Sequence, residues 1–315
     1  MLDRMGTDGG VRVLLVLASN IVVSAPHSNR VSERLESLDY LVVSDFVLSE
    51  TAERADVVLP TAQWAEEDGT MTNVEGRVLL RKAALPPPDG VRTDLSILRA
   101  LADRLGRGQY FADDPRIVFD ELRRASAGGV ADYAGISYER IAAEQGVFWP
   151  CPDESHPGTP RLFTDRFPTP DGRARFFAVE QQGPAELPDE EYPYYLTTGR
   201  SRWHYQSGAQ TRRVRSLRVA EPDAYVEMHP ALARRLDVTA SGHVRLRTRR
   251  GCGIFRARIT DTMRPDTVFV PFHWGGASNA NALTNPVLDR HSQMPEFKAC
   301  AVAVSRAGDV DALSA

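Results

Sequence analysis

The chain has 315 residues, of which 42% are hydrophobic and 25% charged, the balance of an ordinary globular protein with room for about two domains. A net charge of −4 and a pI near 6.0 leave no basic excess to neutralise a phosphate backbone, which excludes nucleic acid as the expected partner. Cys151, Cys252 and Cys300 stand far apart with no CxxC spacing, so no zinc or iron–sulfur framework is expected within this chain, and their odd, low number fits a reducing compartment.

Residues 1–10 lack the charged segment and apolar run of a secretory signal, and the longest apolar run, 11–18, is too short to cross a bilayer. The expected location is therefore cytoplasmic, with no membrane partner. The run at 11–18 ends in Ser19-Asn20, a second at 41–43 ends in Ser44-Asp45, and a third at 57–59 ends in Pro60-Thr61. Helix-like stretches at 29–38 and 49–55 separate them. Apolar strands alternating with helices predict buried parallel strands in an α/β sheet. Leu95, Leu98, Leu101, Ala102 and Leu105 recur at helical spacing before Gly106, predicting an amphipathic helix over 94–105. Residues 86–90 and 128–135 read as loops, 64–70 as an acidic turn, and 149–171 as an aperiodic stretch. The acidic, proline-bearing segment 184–193 reads as a domain boundary.

From Tyr194 onward the pattern becomes short strands with partial alternation, at 194–196, 224–228, 243–248, 253–259, 267–271 and 299–304. A brief helix is predicted at 230–236 and a tight hairpin turn at 249–253. This half reads as a β-barrel with small helices.

Chemistry concentrates in 194–213. A strand runs into a loop carrying Thr198, Gly199, Arg200, Ser201, Arg202, Trp203, His204, Tyr205, Gln206, Ser207 and Gly208, followed by Arg212 and Arg213. Glycines admit close backbone approach, arginines neutralise phosphate, and rings stack on a flat heterocycle, so the loop suits a large phosphorylated cofactor. A solvated surface hairpin is the alternative. Phe272-His273-Trp274 before Gly275-Gly276 offers a ring sandwich or plain packing at a barrel rim. Asn20 and Asp45 follow apolar strands, where α/β sheets bind ligands, or else they cap the next turn; Asp94 reads equally as a helix cap. Asn281 and Lys298 lie beyond the aromatic segment. Gly-x-Ser-x-Gly, Gly-x-Gly-x-x-Gly and Walker motifs are absent.

Taken in order, several segments carry a resemblance over nearly the whole chain. They are Ala18-Ser-Asn20, Leu41-Val-Val-Ser-Asp45, residues 55–62, Trp64-Ala-Glu-Glu-Asp-Gly-Thr70, Trp149-Pro-Cys-Pro152, His156-Pro-Gly-Thr159, Thr197-Thr-Gly-Arg200, Thr211-Arg-Arg213, Leu283-Thr-Asn285 and Pro295-Glu-Phe-Lys298. The chain resembles the molybdopterin oxidoreductases that carry a bis-molybdopterin guanine dinucleotide (bis-MGD) cofactor with molybdenum. Gln206-Ser207-Gly208, Phe272-His273-Trp274 and Met294-Pro-Glu-Phe297 are closer to its nitrate-reducing members than to its formate dehydrogenases.

The resemblance implies a partial Rossmann-like parallel α/β domain at 1–110, an irregular connecting segment at 111–189, and a double-psi β-barrel domain at 190–315. It implies that Asn20, Ser44, Asp45 and Asp94 contact one nucleotide arm. Thr198, Gly199, Arg200, Ser201, Arg202, Trp203, His204, Tyr205, Gln206, Ser207, Phe272, His273, Asn281 and Lys298 would contact the pterin and nucleotide of the other. Glu67 departs from the pattern, since related enzymes place a lysine there. The cysteine-held iron–sulfur cluster and the molybdenum ligand belong to the family's N-terminal part, so no metal-ligating residue is expected in this sequence, and its catalytic residues stay unassigned. The expectation is thus the C-terminal portion of a split, truncated or mis-started polypeptide. Its partners would be the N-terminal polypeptide or subunit, an electron-donor protein and a small anionic substrate. The implied reaction of the whole enzyme is reduction of nitrate to nitrite in nitrate assimilation. A formate dehydrogenase and a non-catalytic molybdopterin-binding module remain the alternatives.

Overall fold

The computed structural model describes residues 1–240 and 242–308. Residue 241 and residues 309–315, which fall in the expected barrel stretch 190–315, lie outside the described residues. The elements in chain order begin with β1 (Val13–Leu17), α1 (Ile21–Ser24), α2 (Ser28–Glu36), β2 (Tyr40–Asp45) and β3 (Val57–Pro60). They continue with β4 (Gly69–Thr72), β5 (Arg77–Arg81), α3 (Asp94–Arg104), α4 (Pro115–Ser126), α5 (Tyr138–Glu144) and β6 (Val147–Phe148). The last group is β7 (Tyr194–Gly199), α6 (Arg215–Ala220), β8 (Tyr225–Met228), α7 (Pro230–Arg235), β9 (His243–Arg247), β10 (Cys252–Ile259), β11 (Thr267–Pro271) and β12 (Cys300–Arg306).

Two compact units form: Met1–Leu59 together with Gln181–Ala315, and Pro60–Glu180. In the first, β1 and β2 pair in parallel from Val13↔Tyr40 to Leu17↔Ser44, and β3 lies on the other side of β2. Leu14, Val16, Leu41 and Val43 pack with Val31 and Leu35 of α2. Both faces of these strands were expected to be buried. Instead Val13 is 60% exposed, Leu17 37% and Tyr40 44%. The apolar packing lies on the face that carries Leu14, Val16 and α2, and the alternation of side chains along a strand turns the remaining apolar residues outward.

The rest of this unit is a closed six-stranded barrel in the order β10-β8-β11-β7-β12-β9, the double-psi β-barrel that the resemblance implies. β10 runs parallel to β8 and β11 parallel to β7, while the β9–β10 hairpin and the pairings of β12 with β7 and β9 are antiparallel. Alternate residues enter the core: Val244 and Leu246 from β9, Phe255 and Ala257 from β10, Val268 and Val270 from β11. Asn279 ties this barrel to the first segment of the same unit, donating through Nδ2 to the Val22 carbonyl at 2.9 Å and to Ser28 Oγ at 3.0 Å.

In the second unit β4, β5 and β6 form an antiparallel sheet over a core that includes Val78, Phe119, Ile136, Ile141 and Val147. The acidic turn expected at 64–70 runs into the β4–β5 hairpin. Two helices, α4 and α5, stand in the stretch expected to be irregular, capped by Asp114 accepting from Arg116 N and Ser137 accepting from Arg140 N. The cap of α3 is Thr93, whose hydroxyl accepts from Ser96 N at 3.2 Å; Asp94 is the first helical residue and accepts from Thr61 Oγ1 at 2.9 Å.

Leu246 is wholly buried at the centre of the barrel. Leu246→Ala is expected to cost about 2–5 kcal/mol, from lost burial plus the cavity left behind, read as a lowered denaturation midpoint.

Candidate cofactor-binding site

Parallel pairing of β7 with β11 places Gly199 opposite Pro271. The two strands therefore leave the barrel at the same rim, and the loop after β7 meets the aromatic turn after β11. His273, with no exposed surface, joins them. Its Nδ1 lies 2.6 Å from the Gln206 carbonyl and its Nε2 2.8 Å from the Ser201 amide nitrogen. A carbonyl can only accept and an amide N–H can only donate, so Nδ1 carries the proton, Nε2 accepts, and the ring is neutral. Burial, with His204 and Arg200 nearby, holds its pKa below the ordinary 6.5 against the opposing bond to Gln206. Gly208, at φ +73°, passes so close that a Cβ there would stand 2.3 Å from the His273 carbonyl oxygen.

His204 is the second buried ring. Its Nε2 donates to the Glu221 carbonyl at 2.9 Å, and Nδ1 lies 3.1 Å from Thr211 Oγ1, which also accepts from the Tyr205 amide at 3.2 Å. The Trp274 ring meets His204 edge-on at 5.0 Å between centroids. The geometry makes both histidines fasteners of the loop.

At the same rim, Thr198 donates through Oγ1 to the Phe297 carbonyl at 2.8 Å, and Lys298 Nζ donates to the Thr198 carbonyl at 2.6 Å. The ammonium also lies 5.8 Å from the Phe272 ring centroid. Burial and the nearby Arg200 lower the Lys298 pKa. The four arginines of the loop divide into two pairs. Arg212 bonds Glu50 through Nη2 at 2.6 Å, and Arg213 donates to the Leu48 carbonyl at 2.8 Å, so both fasten the loop, and of the two only Arg212 keeps an unpaired buried donor, Nε. Arg200 and Arg202 remain toward solvent, Arg202 over Trp203 at 4.4 Å. Tyr205 is 65% exposed, and Ser207 bonds Arg212 through its carbonyl.

At the carboxyl ends of β1 and β2, Asn20 accepts through Oδ1 from Thr51 N at 3.2 Å and Thr51 Oγ1 at 2.9 Å, and donates through Nδ2 to Glu50 at 2.7 Å. Asp45 accepts from Phe46 N at 2.9 Å and Ser49 Oγ at 2.7 Å, which leaves carboxylate lone pairs for a further donor. Ser44 is wholly buried beside it. Asn281 donates to the Val23 carbonyl at 2.7 Å and accepts from Thr284 Oγ1 at 3.0 Å, so its side chain binds α1 to the barrel. Asp94 belongs to the other compact unit, as does Glu67, which pairs with Arg81 at 2.9 Å. Glu50, between Asn20 and Arg212, was not singled out from sequence; a lone glutamate in a polar turn gives no signal.

Ser201 Oγ and Arg212 Nε are buried without a hydrogen-bond partner. Unpaired donors at the loop, two outward arginines and exposed rings fit a flat, phosphate-bearing cofactor. Among the described residues, no three His, Cys, Asp or Glu side chains converge into a metal-ligating group.

The barrel rim and the strand ends of the α/β sheet thus have the chemistry that suits a large dinucleotide cofactor. Residues 194–301 match the molydopterin dinucleotide binding domain, and residues 2–104 match the molybdopterin oxidoreductase domain. The chain belongs to the molybdopterin oxidoreductase family. It is 43% identical to the assimilatory nitrate reductase catalytic subunit of Bacillus subtilis, covering 96% of this chain and 43% of that protein. It is 42% identical to the F420-dependent formate dehydrogenase subunit alpha of Methanocaldococcus jannaschii, covering 97% of this chain and 44% of that protein. The chain therefore spans less than half the length of these curated relatives. Its fold matches the solved structure of acetylene hydratase from Pelobacter acetylenicus with a TM-score of 0.76, at 19% identity, over 97% of this chain and 46% of that one.

Because the folded His273 pKa lies below the unfolded value of 6.5, the unfolded chain takes up the proton first as pH falls. The stability from this latch is complete above pH 6.5 and declines as pH drops from there through the lowered folded value. His273→Phe leaves the Ser201 N–H and Gln206 carbonyl unpaired and is expected to cost about 2 kcal/mol or more at neutral pH. Thermal melts across the acid range should show the variant less stable at neutral pH and less sensitive to acid.

Proposed function

We propose that this chain is the cofactor-holding C-terminal portion of a molybdenum oxidoreductase whose whole enzyme reduces nitrate to nitrite. The observation that carries this reading is the loop 198–213, latched by His273 and left with unpaired donors, inside a molybdopterin dinucleotide-binding barrel. When bound, bis-MGD supplies two-electron oxygen-atom transfer at its molybdenum, and the protein supplies binding, orientation and electrostatics.

In this reading Ser201 Oγ, Arg212 Nε, Arg200 and Lys298 offer donors and positive charge to the phosphates. Trp203, Tyr205 and Phe272 present rings to the flat heterocycles. Asp45 accepts from the guanine edge or ribose, with Asn20 and Ser44 beside it. Residues 1–110 act as the partial Rossmann-like domain and 190–315 as the dinucleotide-binding domain. The iron–sulfur cluster and the metal ligand are assigned to a further polypeptide, which also receives electrons from a donor protein. The exposed apolar face of β1 and β2, with Val13, Leu17 and Tyr40 outward, supports such a polypeptide, because a parallel sheet is stable when both faces are covered. No helix of the described residues is long and apolar enough to cross a membrane. A nitrate-assimilating enzyme is the reading that the name of the Bacillus subtilis relative supports, and a cytoplasmic location is part of the same proposal.

Formate oxidation is the second reading, favoured by the 42% identity to the Methanocaldococcus jannaschii subunit. The chain, co-expressed with the completing polypeptide in a host that makes bis-MGD, is expected to oxidise reduced methyl viologen with nitrate and to leave formate untouched. Formate-driven dye reduction without nitrate turnover would replace the first reading with the second, and turnover of neither would contradict both.

A further inference from the structure

One carboxylate gathers four separated stretches of the first compact unit. Glu50 Oε2 accepts from Asn20 Nδ2 at 2.7 Å, and Oε1 accepts from Arg212 Nη2 at 2.6 Å. Gly275 presses against the same group: a Cβ there would stand 2.8 Å from Oε1. Asn20 follows β1, Glu50 follows β2, Arg212 closes the loop after β7, and Gly275 lies in the turn after β11. Glu50 and Arg212 retain only 25% and 27% of their side-chain exposure, so their attraction is screened less than that of a surface pair. Burial works against the charge on Glu50, but the bonds from Arg212 and Asn20 outweigh it and hold the carboxyl below its ordinary pKa.

The bond to Glu50 also fixes which donors Arg212 has left. Nη2 is taken by Glu50 and, at 3.4 Å, by the Ser207 carbonyl, while Nε stays buried and unpaired next to Gly208. A guanidinium pinned at one nitrogen presents the rest of its planar fork in a set direction.

We infer that Glu50 is a positioning residue, whose carboxylate sets Asn20 and Arg212 against each other so that the segments proposed for the two arms of the cofactor form one receptor. This rests on the dinucleotide reading above, and it adds a residue whose effect is transmitted through its two neighbours. Glu50 couples the arms: an arm seated at Asn20 orders the loop that takes the other.

The test uses the full chain and guanosine diphosphate, the nucleotide half of the dinucleotide, as the probe. Wild type, Glu50→Gln, Arg212→Met and the double variant are titrated with binding followed by intrinsic tryptophan fluorescence, and each is melted without ligand. The inference predicts binding weaker by about tenfold in Glu50→Gln and no further loss when it is added to Arg212→Met, since the two act as one unit. A Glu50→Gln protein that binds like wild type, or additive losses, would overturn it. So would weakening that only parallels a fallen melting temperature, which is what a plain structural staple gives. If wild type does not bind the probe, the nucleotide reading falls and hydrogen exchange decides the inference. Glu50→Gln should then raise exchange both at 20–23 and at 206–213 while the barrel strands stay protected, and an unchanged pattern at either segment would sink it.

Discussion

The site hangs on the parallel register of β7 with β11, Gly199 opposite Pro271. Two strands that run the same way end at the same rim, so their following segments must share space. The shared space is closed by His273, and only its neutral ring satisfies both the Gln206 carbonyl and the Ser201 amide. A proton on Nε2 would set one N–H against another. Burial that disfavours the charged ring is therefore a condition for the loop's shape as well as a consequence of it.

The same logic of strand ends governs the smaller sheet. β1 and β2 are parallel, and Asn20, Ser44, Asp45 and Glu50 all follow or close their carboxyl ends. Arginine charge in the loop is divided accordingly. Arg212 and Arg213 are bound to the turn after β2, while Arg200 and Arg202 stay outward. A cradle for a dianionic ligand needs both kinds, since free positive charge without a fixed frame gives attraction and no orientation.

Much of this was legible in the sequence, for identifiable reasons. The barrel strands alternate, as in β9 with Val244 and Leu246 inward, and their turns carry glycine, as at Gly251. The loop 198–213 stood out because glycine, hydroxyl, arginine and aromatic residues are crowded there. The β4–β5 hairpin escaped because Gly69–Thr72 is short and mostly polar and Arg77–Arg81 has only three apolar residues between two arginines, in a stretch that reads as charge. The helices α4 and α5 are capped by Asp114 and Ser137 but sit among glycine- and proline-bearing loops that mask their period. Sequence marked Arg212 and Arg213 for phosphate without showing that Glu50 and the Leu48 carbonyl hold them, because it shows residue type without partner. It gave Glu50 no weight because the partners of that carboxylate lie 30 and 162 residues away.

The central claim is that the rim closed by His273 and Gly208 holds a molybdopterin dinucleotide. Acid release and oxidation of whatever the purified protein retains, from a host that makes the cofactor, tests it most directly. The account predicts fluorescent pterin and guanine nucleotide in equal amounts, and the loss of both in Gly208→Val, where a side chain would strike the His273 carbonyl. A wild-type protein that releases neither, or a Gly208→Val protein that retains both, would contradict it.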